Sequence, residues 1–219
     1  MSMGYACLTV GVLGTQLRTC REKNATYEVL LDLIRSNLAA LDKMLDYNIE
    51  NNIKLFRISS DIIPFASHPV NTVKWWEVFR PELKELGNKA LSNNIRLSMH
   101  PGQYTVLNSP NDEVVARAVK DLSYHARFMD SLGLDKDHKI ILHIGGVYGD
   151  KVKAILRFIN NYKSLDDNIK QRLVIENDDK QYNINDVLTI GLDEGIPVVF
   201  DNLHHKVNSD LTIFYYLSQ

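Results

Sequence analysis

Short apolar runs alternate with longer segments of helical period from one end of this chain to the other, and that alternation constrains its fold more than any other feature. Strand, helix, strand in repetition makes a parallel sheet with crossover helices, because parallel neighbours cannot be joined by a tight turn. Strands are expected at Gly4–Thr9, at Lys54–Ser59, and in four further runs that end at His100, His143, Glu176 and Asp201. Helices are expected from about Thr26 to Asn51 with Asn24 as cap, at Asn71–Phe79 and Pro81–Ser92, and from Ser109-Pro110 to Gly133. Two more are expected around Val152–Ile159 and Asn185–Glu194.

The last four strands share a second property: each ends on a metal-ligand residue type, His100, His143, Glu176 and Asp201, with His204 following in a D-x-x-H spacing. The carboxyl ends of parallel strands open onto the crevice where α/β enzymes bind ligands. Imidazoles and carboxylates gathered there suit a divalent transition metal, and several such donors suit a multinuclear centre for phosphodiester hydrolysis. Singly, each has a plain explanation: His100 as a hydrogen-bonded core histidine, Asp201 and His204 as a chance pair. Glu176 resists one, because a carboxylate at a buried strand end is costly unless a cation or hydrogen bonds meet it.

Ligand types on successive strands suit a (β/α)8 TIM barrel better than an open doubly wound sheet, which gathers its site at one switch point. The spacings from 100 to 143, 176 and 201 each accommodate a βα unit of about 30 residues or somewhat less. Six units are found in 219 residues, and a barrel usually takes about 250. The expectation is therefore a single barrel domain over residues 1–219 that lacks its last two βα units, with Asp210–Gln219 beginning a further helix. Open sheet edges would be templates for an oligomer.

Composition narrows the partners. A net charge of −2 and a pI near 6.4 leave no global basic field, although local patches survive a neutral sum. Cys7 and Cys20 are too few for a disulfide framework, which fits a reduced, cytoplasmic protein. No apolar stretch approaches the roughly 18 residues of a membrane span, and Met1–Tyr5 lacks the order of a signal peptide.

Several residues carry two readings. Gln103-Tyr104, on the loop after the third strand, either wedges into a base stack or packs the loop. Tyr5 stacks on a base or lines the barrel floor; His68 donates to a phosphate or caps the proline-rich loop Pro64–Pro69. Lys151 and Lys153 reach phosphate or form a solvated helix face, and Asp178 and Asp179 read as a solvated cap for the next helix. Trp75-Trp76 read as helix packing, and His205 stays outside the ligand set.

The stretches PFASHP (Pro64–Pro69), LSMHPGQY (Leu97–Tyr104), LHIGGVYG (Leu142–Gly149), ENDD (Glu176–Asp179) and DNLHH (Asp201–His205), together with Phe56–Ser60, resemble the UV damage endonucleases. The resemblance covers essentially the whole chain. It implies an endonuclease IV-like, metal-dependent barrel that nicks damaged double-stranded DNA immediately 5′ to cyclobutane pyrimidine dimers, 6-4 photoproducts and some other lesions. The cofactor it implies is manganese, with Mg, Co or Zn as alternatives. By the same resemblance His100, His143 and Glu176 hold one metal, with Glu176 bridging to a second that Asp201 shares, and His204 belongs to a third. Gln103 and Tyr104 match the lesion-probing pair, and Tyr5 and His68 lie near the damaged strand. Further ligands and a lysine in the family's last two βα units have no counterpart here, so little nicking activity is expected. Two readings compete: a xylose isomerase-like sugar isomerase or epimerase, and a non-catalytic fragment that binds damaged DNA.

Overall fold

The computed structural model describes residues 2–209, so the helix expected at 210–219 lies outside the described residues. Six strands, β1 (Gly4–Ala6), β2 (Leu55–Ile58), β3 (Arg96–Met99), β4 (Lys139–His143), β5 (Leu173–Glu176) and β6 (Val198–Val199), form one sheet in chain order. Strand β2 runs parallel to β1 and β3, and β5 runs parallel to β4 and β6. The intervening helices are α1 (Tyr27–Glu50), α2 (Trp75–Val78), α3 (Arg80–Ser92), α4 (Asp112–Ser131), α5 (Lys151–Lys163), α6 (Asp167–Lys170) and α7 (Ile184–Glu194), and α8 (Asn202–Val207) follows β6. This is the βα order of a TIM-type barrel, with six of its units. Among the described residues no helix is long and apolar enough to cross a membrane.

The described chain gathers into two compact units, residues 2–100 with 123–139, and residues 101–122 with 140–209. In the first, α1 buries Leu30, Leu33, Ile34, Leu38, Leu41, Met44 and Leu45, an i, i+3/i+4 stripe. Asn37 on the same face is fully buried, and its amide is satisfied by accepting from Arg18 N and donating to the carbonyls of Arg18 and Ile62. Lys89 of α3 donates to Asp42 and Asp46 and ties α3 to α1.

In the second unit, Ile140, Ile141, Leu142, Leu173, Val174 and Ile175 are all buried, the continuous apolar run of strands covered on both faces. Burying each such side chain stabilises by about 1.5–3 kcal/mol. Helix α7 opens on a capping box between Asn183 and Asp186 and closes on Gly195 in the left-handed region at φ 68°. Asp186 also accepts from Lys151 Nζ at 2.5 Å, linking α7 to α5.

Four boundaries depart from expectation for local reasons. Strand β1 stops at Ala6 because Cys7 takes φ 64°, outside the extended region. Thr26, not Asn24, caps α1 by accepting from Val29 N. The helix expected at Asn71–Phe79 shrinks to α2, because the Asn71 side chain donates to Pro64 O and accepts from Val73 N, holding the chain as a loop. Strand β6 is two residues long, and Asp201 caps α8 instead of ending a strand.

Candidate metal centre

His143 is the last residue of β4 and Glu176 the last of β5, and they are register partners across the parallel ladder. Equal register brings the two side chains to the same end of the sheet, where His143 Nε2 lies 2.9 Å from Glu176 Oε2. The Glu176 side chain is 3% exposed and that of His143 33%. Two donors bound cis on an octahedral ion, at about 2.1 Å each, stand about 3 Å apart, so the observed pair has the spacing of a shared coordination edge.

Beyond Glu176 the chain keeps building the site. Asn177 is fully buried. Its side-chain amide accepts from Asp201 N at 2.9 Å and donates to Asp201 O at 3.0 Å. Its main-chain carbonyl accepts from His204 Nδ1 at 2.8 Å. Since a carbonyl only accepts, that contact places a proton on Nδ1 and leaves Nε2 of neutral His204 with its lone pair. The His204 ring stands edge-on to that of His143, centroids 5.4 Å apart. Asp201 Oδ1 accepts from the amides of Leu203 and His204, and its Oδ2 lies 3.9 Å from His204 Nδ1.

His100 follows β3 directly, and its main chain is anchored within its own unit. Ser60 Oγ donates to the His100 carbonyl at 2.8 Å. His125 Nε2 lies 2.8 Å from Ser60 Oγ, and Tyr124 donates to the Ser60 carbonyl at 2.8 Å. With the hydroxyl proton directed at His100, the contact from His125 is a donation from its ring N–H. The donor atoms offered by His100, His143 and Glu176 all lie within 4.8 Å of one another, a group that could hold a metal ion.

The other expected site residues are distributed as follows. Gln103 and Tyr104 project from the loop after β3; Tyr104 is 83% exposed, so it does not pack that loop. Tyr5 is half-buried, its ring 5.0 Å from that of Phe56 and its hydroxyl 2.7 Å from Thr9 Oγ1; burial pushes its pKa up. His68 is exposed; its Nδ1 accepts from Val70 N, and its Nε2 lies 4.0 Å from Glu22. Lys151 and Lys153 pair with Asp186 and Asp150. Trp75 is buried edge-on to Tyr124, as helix packing requires.

Asp178 corrects one expectation. It is no solvated cap: it is 7% exposed, and its Oδ1 accepts from the amides of Lys180, Gln181 and Tyr182, folding the turn after β5. The loop after β4 has an equivalent clasp. Asn108 Nδ2 and the Tyr182 hydroxyl both donate to Gly146 O, at 2.7 and 3.1 Å. Tyr182 is fully buried, and burial pushes its pKa up to about 12. Neither Asn177 nor the Asn108–Tyr182 clasp was marked by the sequence, although Asn177 lies inside the ENDD stretch.

The UV-endonuclease UvdE family model matches residues 1–214. A UV DNA damage endonuclease from Clostridium perfringens (strain 13 / Type A) is 47% identical over 210 residues, which are 96% of this chain and 51% of that protein. The chain thus spans about half the length of this curated relative. The crystal structure of SacUVDE matches with a TM-score of 0.92 at 41% identity, over 99% of this chain and 75% of that one. Endonuclease IV from Thermus thermophilus matches with a TM-score of 0.55 at 12% identity, over 81% of this chain and 65% of that one, a likeness of fold alone.

Proposed function

The chain belongs to the UV-endonuclease UvdE family, and from that premise we propose that residues 1–219 act as one metal-dependent DNA repair endonuclease domain. The bond cut is the phosphodiester immediately 5′ to a UV photoproduct, a cyclobutane pyrimidine dimer or 6-4 photoproduct, or to some other lesions in double-stranded DNA. The observation that carries the reading is the His143–Glu176 pair at 2.9 Å, with a His100 donor atom inside the same 4.8 Å group.

The donor set fits a divalent cation, because imidazole nitrogens and carboxylate oxygens are ligands that Mn, Mg, Co and Zn share; manganese is the first choice on the resemblance to the UV damage endonucleases. When bound, such ions supply an activated water and positive charge beside the phosphoryl oxygens. His100, His143 and Glu176 would hold the first ion, Glu176 and Asp201 a second, and His204, through Nε2, a third. Glu176, 3% exposed, would serve catalysis as the buried carboxylate that holds the metal ions. His68, exposed on its loop, donates to a phosphate oxygen of the damaged strand. Gln103 and Tyr104 enter the base stack beside the lesion, and Tyr5 contacts the same strand. The exposure of Tyr104 supports an open nucleic-acid surface over a closed sugar pocket.

The test is a duplex oligonucleotide with one defined pyrimidine dimer, an undamaged duplex of the same sequence, and the protein with manganese or EDTA. A weak manganese-dependent nick immediately 5′ to the dimer, absent from the control, is expected. Equal cutting of both duplexes, or cutting that survives EDTA, would overturn the reading.

A further inference from the structure

Strand β6 pairs with β5 only as far as Glu176 opposite Val199. One residue past the end of β5, the place of the next rung is taken by a side chain. The Asn177 amide contacts both the N–H and the C=O of Asp201, at 2.9 and 3.0 Å, as a peptide group would. The same residue's own carbonyl takes the Nδ1 proton of His204 at 2.8 Å. Asn177 is 0% exposed, so these bonds form away from water, where a polar group left unpaired is costly.

We propose that Asn177 is a positioning residue: one peptide bond from Glu176, it fixes where Asp201 stands and which nitrogen His204 presents. The inference rests on the metal-centre reading above and adds to it a residue that is not itself a ligand. It acts through geometry. Without the amide, Asp201 loses the two bonds that tie its peptide groups to the end of β5. A carboxylate in its place keeps the shape but loses the donor and sets negative charge against the Asp201 carbonyl.

The test compares wild-type protein with Asn177→Ala and Asn177→Asp. Metal-free protein is observed by long-range nitrogen–proton NMR of the histidine rings, with His204 assigned by His204→Gln, and manganese uptake is followed by titration calorimetry. Wild type is expected to show His204 protonated at Nδ1; both variants keep the main-chain carbonyl but, with Asp201 untied, should show a mixture of the two tautomers. The variants should also weaken manganese uptake at the two sites that depend on Asp201 and on His204 by 10- to 100-fold, while the site that needs His143 is retained. In a His204→Gln background, Asn177→Ala should still weaken the site that needs Asp201 and leave the His143 site intact, which a general loosening of the fold would not predict. An unchanged His204 tautomer with unchanged affinity in both variants overturns the proposal. No manganese uptake by wild type would instead overturn the metal-centre reading, and the tautomer in metal-free protein would still decide the role of Asn177.

Discussion

His143 and Glu176 end neighbouring parallel strands at matched register, and their side chains meet with Nε2 2.9 Å from Oε2. A buried carboxylate held this way loses a charge-assisted contact when the histidine is removed. His143→Ala is expected to cost metal-free protein about 1.5–3 kcal/mol, read by urea denaturation. Glu176→Gln keeps the shape and removes the charge, and should lower manganese affinity by at least about 100-fold in calorimetry, the upper end of what loss of a supporting partner costs. Unaltered affinity in Glu176→Gln would remove Glu176 from the ligand set.

Gly145 follows His143 by two residues and sits at φ 114°, and a Cβ there would stand 2.4 Å from Asn108 Oδ1. Gly145→Ala combines a strained backbone with a collision against the clasp on Gly146, and should destabilise by about 1–3 kcal/mol. Gly102→Ala is the matched control: nothing lies within 4 Å of its Cβ position, so the change should stay within about 0.5 kcal/mol. Chemical denaturation of both variants checks the contrast.

The buried phenol of Tyr182 holds its proton up to about pH 12, against an ordinary value of 10.0. In that window the unfolded chain releases this proton and the folded chain keeps it. The contribution is therefore present below pH 10 and is lost as pH rises towards 12. A titration of tyrosinate absorbance should show late-ionising tyrosines, Tyr5 and Tyr162 among them, and Tyr182→Phe should remove the contribution near pH 12 and flatten the fall in stability over the same range.

Ser60 links His125 to the His100 carbonyl through two contacts of 2.8 Å. Ser60→Ala leaves both groups without that hydroxyl and should cost about 1–3 kcal/mol. Manganese affinity should fall as well, since the chain that carries His100 is released. Ser60→Thr, which restores the hydroxyl, should recover most of the affinity; if it does not, the hydroxyl is not what anchors His100.

The periodic parts of this molecule were legible in its sequence. The apolar stripe of α1, the runs at β4 and β5 and the ligand types at their ends all follow from local pattern, because a strand end or a helix face is fixed by its own neighbours. What stayed hidden depends on partners far along the chain. Asn177 reaches 24 residues to Asp201, and Ser60 reaches 40 to His100. Asn71 unmakes a predicted helix by reaching 7 residues back to Pro64. Polar side chains that replace backbone hydrogen bonds carry no periodicity, so pattern alone misses them.

The matched rungs of β4 and β5 also make this site sensitive to chain length in a way that side-chain substitutions do not reveal. Deleting one residue within Leu173–Glu176 would shift the pleat by half a repeat and turn every following side chain to the opposite face. Asn177 would then stand where the carboxylate belongs, with the glutamate driven into the apolar layer. Such a frame error of one residue would be more damaging than any point change at the site, and a lengthened surface loop elsewhere should be tolerated far better.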